Sequence, residues 1–114
     1  MYKDEVKLKI EAELALAVKY REQGFEGRAR VCSRRAAGIA IRAYLQRILP
    51  VPPEMSLNVN ELFLLLSNLS DGLPEIQLAV SHLSTRVNEE FQLPPEIDLL
   101  AEARWLVTTL ENLT

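Results

Sequence analysis

Six arginines crowd into residues 24–49, a Gly-framed stretch reading GFEGRARVCSRRAAGIAIRAYLQRIL with no acid after Glu26. Guanidinium forks suit phosphate and carboxylate alike, because they are planar and always charged. On a helix, Arg28, Arg35 and Arg42 repeat every seven residues and form one stripe. Arg30 and Arg34 fall elsewhere, toward the edge held by Ile41 and Leu45, where partial cover is expected. Two uses are open to the stripe. It can contact RNA or another polyanion, or it can pair with acids of the same chain or stay solvated. A pI near 5.2 and the lack of interleaved aromatics favour the second use.

The remaining reactive side chains are few. His82 stands one turn before Arg86, with Glu89 and Glu90 three and four residues further on. His82 and Arg86 can be read as an unorthodox acid–base pair, or His82 as an acid-sensing switch. The plainer reading is a surface histidine beside an ordinary Arg–Glu pair. Cys32 is the single cysteine, so no intramolecular disulfide can form and a reducing compartment is the simple expectation. As a nucleophile it needs a base and an orienting group. Among alanines, a thiol behaves as a compact hydrophobe instead.

One histidine and one cysteine cannot build a structural zinc site. The Glu-x-x-His of a di-iron bundle is not met, because Ala79 stands three residues before His82. Asp98 and Glu102 share a helix face at i, i+4, a spacing that more often marks a solvated face than a cation site. No metal is expected. Four glycines, none in a phosphate loop or dinucleotide fingerprint, leave no cofactor to expect.

Five helices must position these groups, and no strand is convincing. The first covers about residues 3–22, with Val6, Ile10, Leu14, Ala17, Val18 and Arg21 on one face and Gly24 as its stop. The second covers about 27–49 and is closed by Pro50, Pro52 and Pro53. Ala29, Cys32, Ala36, Ala40 and Ala43 fall on one narrow strip, flanked by Ile39 on one side and Ile41, Tyr44 and Ile48 on the other. Such a seam admits a neighbouring backbone closely and predicts the centre of the bundle. A short third helix is signalled by Asn58 as cap and Glu61 reaching back, with Leu57 and Leu62 as a staple. The fourth starts at Pro74, its apolar face Ile76, Ala79, Val80, Leu83, Val87 and Phe91. The fifth covers about 96–112, with Leu99, Leu100, Ala103, Leu106, Val107, Leu110 and Leu113 on one broad side.

The fifth helix carries a second strip as well. Ile97, Ala101 and Trp105 recur at four-residue spacing, turned away from the leucine face. This strip can anchor a partner, since tryptophan is enriched in interface hot spots, or pack on a second neighbour within the bundle.

The 114 residues fit one all-α domain spanning 1–114, an antiparallel up-and-down bundle of four long helices and one short one. Charge is uneven. Residues 1–47 hold 11 Lys and Arg against 6 Asp and Glu, a balance of +5, whereas residues 48–114 hold 2 against 10, a balance of −8. That asymmetry suits an anionic partner or two halves folded onto each other. The charged start lacks a signal peptide's apolar stretch, and the longest aliphatic run, 62–66, is far below the roughly 20 residues that cross a bilayer. A soluble cytoplasmic protein with no membrane association is expected.

The order of features resembles the HEPN domains (higher eukaryotes and prokaryotes nucleotide-binding). The Ala-rich first helix, the turn Gln23-Gly24-Phe25-Glu26-Gly27, the helix RVCSRRAAGIAIRAYL, the short helix NELFLLL and the closing FQLPPEIDLLAEARWLV carry the likeness. The resemblance implies a small all-α bundle, commonly dimeric, of a kind associated with nucleotidyltransferases, RNA cleavage or toxin–antitoxin pairs. Catalytic members place a histidine four to six residues after an arginine near the start of the last helices. Here no histidine follows Arg86, and Glu75, Ile76 and Gln77 occupy the matching positions before His82. The expectation is therefore a non-catalytic interaction module, a homodimer meeting a protein or nucleotide-bearing partner through its second or fifth helix. The alternative is an RNA-binding or RNA-cleaving protein that uses the arginine stripe.

Overall fold

Local sequence chemistry accounts for several of the helix ends. The structure is a computed structural model that describes residues 2–51, 53–71, 73–84 and 97–113. Five helices and no strand are found among them: α1 Asp4–Glu22, α2 Glu26–Ile48, α3 Val59–Leu69, α4 Pro74–Ser84 and α5 Leu99–Asn112. Helix α1 has acids in its first turn and Lys19 and Arg21 in its last, matching the helix dipole. It stops at Gly24, whose φ of +83° only glycine adopts freely. The amide of Phe25 donates to the Tyr20 carbonyl at 2.8 Å and that of Gly24 to Arg21 at 3.0 Å, the paired bonds of a Schellman turn.

Helix α2 is central. It packs against α1, α3 and α5, and Ala29, Cys32, Ala36 and Ala40 of its small-residue seam are buried, with Ala43 half-buried. Burial spreads further round the helix than one seam, taking in Ser33, Ala37, Gly38, Ile41 and Leu45. Ser33 satisfies its hydroxyl on the Ala29 carbonyl at 2.9 Å. Gly38 permits a close approach: a Cβ there would stand 3.0 Å from Val59 Cγ2 at the start of α3, so Val59 would have to give by a few tenths of an ångström. Ile48, expected to flank the seam, is exposed, because the chain leaves the bundle at Leu49 and Pro50.

The cap of α3 forms as the sequence spells it. Asn58 accepts from the Glu61 amide at 2.9 Å, and the Asn58 amide donates back to the Glu61 carboxylate at 3.2 Å. Leu62, Phe63 and Leu66 of α3 and Ile76, Val80 and Leu83 of α4 meet Leu99, Ala103, Leu106 and Leu110 of α5 in one core, which Ile10, Ile41 and Leu45 complete. Tyr2 joins it too, its hydroxyl donating to the Val107 carbonyl at 2.6 Å. Val87 and Phe91, expected to extend the α4 face, lie outside the described residues. Helix α5 starts at Leu99 rather than near Glu96, because Asp98 is its cap and takes the amides of Leu100 and Ala101. Leu113, assigned to the covered side, is exposed in the turn that ends the helix.

Candidate functional site

The arginine stripe of α2 is divided by the fold. Arg28 is exposed, its guanidinium 4.9 Å from the Phe25 ring centre and 5.7 Å from that of Tyr20. The Schellman turn thus supplies aromatics that reading α2 alone could not show. Arg35 is exposed as well and borders Glu13 and Cys32. Arg42 is half-buried and committed to the chain itself. Its two amino groups donate to the carbonyls of Glu54 at 2.9 Å and Leu57 at 2.6 Å, pinning the loop that leads into α3.

The basic first half does meet the acidic second half, through atoms that charge counting does not reveal. Arg42 reaches carbonyls, Arg34 donates to the side-chain oxygen of Asn60 and stands over the Phe63 ring, and Arg47 donates to the Leu110 carbonyl at 3.2 Å. Leu110 lies in the last turn of α5, where its carbonyl takes the Leu113 amide only at 3.4 Å and has room for a second donor. Among the described residues, a carboxylate bridge between the halves comes from α1. Arg21 holds both oxygens of Asp98 at 2.8 and 3.2 Å and Glu26 at 2.9 Å. The guanidinium and the capped amides together hold the Asp98 carboxyl below the usual carboxylate range.

His82 finds its partner on α5. Its Nδ1 lies 2.7 Å from Glu102 Oε1, both side chains about a quarter exposed. Asp98 and Glu102, one face by sequence, are therefore spent on different neighbours. Arg86, the other member of the acid–base reading, lies outside the described residues. A His–carboxylate pair of this kind can fix the orientation of the imidazole ring. Among the described residues no three His, Cys, Asp or Glu side chains gather closely enough to hold a metal ion. Cys32 is buried, and burial with Glu13 beside it pushes its thiol up, Arg35 opposing weakly. A thiol held protonated is a poor nucleophile.

The strip Ile97, Ala101 and Trp105 divides too. Ile97 packs half-buried on the core, and Ala101 is exposed. Trp105, 37% exposed, walls a hollow of about 280 Å³ with Leu73, Pro74, Ile76, Thr109 and Leu113. The hollow lies between the start of α4 and the end of α5. A larger open hollow of about 590 Å³ lies where α1, α2 and the loop before α3 meet, lined by Lys9, Glu13, Arg35, Ile39, Leu57 and Leu62 among others. Neither was visible in the sequence, since each is built from segments far apart in the chain. Gly38 and the alanines of α2 were the local sign of close approach.

No helix among the described residues is long and apolar enough to cross a membrane. The chain matches no protein-family model, and no curated protein or solved structure resembles it significantly.

Proposed function

We propose that this chain is a non-catalytic, HEPN-like interaction module of the cytoplasm. It would form a single up-and-down bundle domain, act as a homodimer and engage a protein partner through the α4–α5 groove. The observation that carries this reading is Trp105, a large ring left over a third exposed against an apolar hollow. Such a ring, flanked by exposed Leu73 and Leu113, offers the anchor-and-pocket arrangement on which interfaces concentrate their energy. The state of Cys32 supports a non-catalytic role, since its environment lowers thiolate character.

The test compares quantitative capture by the wild-type chain and by Trp105→Ala and Leu113→Ser. A defined protein enriched by the first and lost by both variants is the expected outcome. Equal enrichment by all three would remove the groove from the reading.

A second reading is favoured by one observation, the exposed Arg28 set against two aromatic rings. Cation and π-face together suit single-stranded RNA. On that reading Arg28 and Arg35, with Arg42 behind them, track phosphates. Binding to transfer RNA then falls steeply with salt, Arg28→Glu/Arg35→Glu abolishes it, and any cleavage is lost in His82→Ala. No retention of transfer RNA at low salt is what the interaction module predicts.

A further inference from the structure

Helix α1 packs on α2 and α5 through Ile10 and Ala17, with Val6, Leu14 and Val18 half-covered beside them. Its opposite face is not uniformly polar. Leu8 is 67% exposed and Leu16 40%, and the alanines between them, Ala12 and Ala15, are exposed as well. Leu8, Ala12 and Leu16 follow at four-residue steps, so they form one stripe along the helix. At about 100° per residue, the charges within roughly 40° of its centre line are Glu5 at one end and Lys19 at the other.

The order of these residues is symmetric. Leu8 and Leu16 are equidistant from Ala12, and so are Glu5 and Lys19. We infer that a second copy of this chain docks antiparallel along the outer face of α1, with the two-fold axis over Ala12. Leu8 then meets Leu16 of the second copy, Ala12 meets its own equivalent, and Glu5 faces Lys19 of the second copy at both ends. An isologous interface requires this self-complementarity. A parallel pairing would set glutamate on glutamate and lysine on lysine, a juxtaposition that excludes it. Alanine at the crossing lets the axes approach at the near end of the about 8–10 Å range for packed helices. Among the described residues Glu5 pairs with Lys9 at 4.0 Å, between side chains 66% and 84% exposed. So weak a pair leaves Glu5 available.

Beside Leu16 the apolar surface continues onto α2 at Val31, 47% exposed. The segment from Glu5 to Lys19 is about 21 Å long. A seam of that length falls among the smaller specific interfaces, below about 1,200 Å², so a micromolar dimer is expected. The inference rests on the homodimer of the proposed function but uses a face separate from the Trp105 groove.

Sedimentation velocity of the full chain between about 5 and 500 micromolar tests it. The wild-type chain should pass from monomer to dimer within that range. Glu5→Lys alone and Lys19→Glu alone should each weaken association about tenfold, from two lost and two repulsive pairs. Both substitutions on one chain should restore it, and so should an equimolar mixture of the two single variants, because opposite charges then meet at both ends. Leu8→Glu should leave a folded monomer. All of these are exposed positions, and unchanged helical circular dichroism verifies the fold. A wild-type monomer at the highest concentration would overturn both the inference and the homodimer. A dimer weakened by Trp105→Ala but indifferent to Leu8→Glu and to the charge reversals would keep the homodimer and overturn the α1 seam.

Discussion

Tyr2 shows how one side chain can couple burial to pH. Its ring is in the core and its hydroxyl donates to Val107. Burial, with Glu111 nearby, raises its pKa well above the ordinary tyrosine value near 10. The folded chain therefore keeps a proton that the unfolded chain releases above about pH 10, so stability falls as pH rises through that region. Tyr2→Phe should cost about 1 kcal/mol at neutral pH from the lost hydrogen bond. The gap to wild type should narrow above about pH 10, as urea melts at a series of pH values will show. Cys32 makes a matching prediction. With its thiol buried and pushed up, alkylation by iodoacetamide should be slow in the native protein and orders of magnitude faster in denaturant. Rapid modification of the folded chain would contradict the buried seam.

At the level of elements, caps and close approaches set the helices in place. Gly38 costs α2 about 1 kcal/mol of helix propensity relative to alanine, yet an added Cβ would press on Val59 at 3.0 Å. Gly38→Ala should therefore destabilise the wild type and become neutral or stabilising once Val59 is alanine. The readout is a thermal double-mutant cycle, and zero coupling would show that α2 and α3 do not touch there. The capping box, the Pro74 start and the α4 face Ile76, Ala79, Val80 and Leu83 were all legible in the sequence. Their physics is local: a cap and its third residue, or side chains one turn apart, are fixed by helix geometry alone. The start of α5 was misplaced because Glu96 and Asp98 both suit a helix beginning, and the bonds to Leu100 and Ala101 decide for Asp98.

At the scale of the molecule, the +5 and −8 halves are joined among the described residues by directed bonds such as those of Arg21, Arg42 and Arg47. Asp98 carries two roles, cap and partner of Arg21. Asp98→Asn keeps the cap and loses the ion pair. With both side chains over a third exposed, the cost should be under about 1 kcal/mol. Asp98→Ala should lose about 1 kcal/mol more. Because the carboxyl is held below its usual range, the pair's contribution is complete above the ordinary aspartate pKa. It disappears as pH falls through the lowered value. Acid titration of the two melting curves, wild type and Asp98→Asn, should show them converging only at the acid end.

By itself the sequence determined that this is a chain of helices, where four of the five begin, and that Ala29, Ala36 and Ala40 of the second lie inward, though not that Ala37 joins them and Ala43 stays half-buried. Propensity, capping and 3.6-residue periodicity act within a few residues and need no partner. Only the tertiary structure decided which charge meets which group. Arg42 is drawn to loop carbonyls, Arg21 rather than an arginine of α2 takes Asp98, and His82 meets Glu102 of α5. Those pairings depend on the offset and rotation of helices distant in the chain, which no local pattern encodes. The tertiary arrangement likewise left Trp105 beside a hollow, and left Leu8 and Leu16 of α1 facing outward.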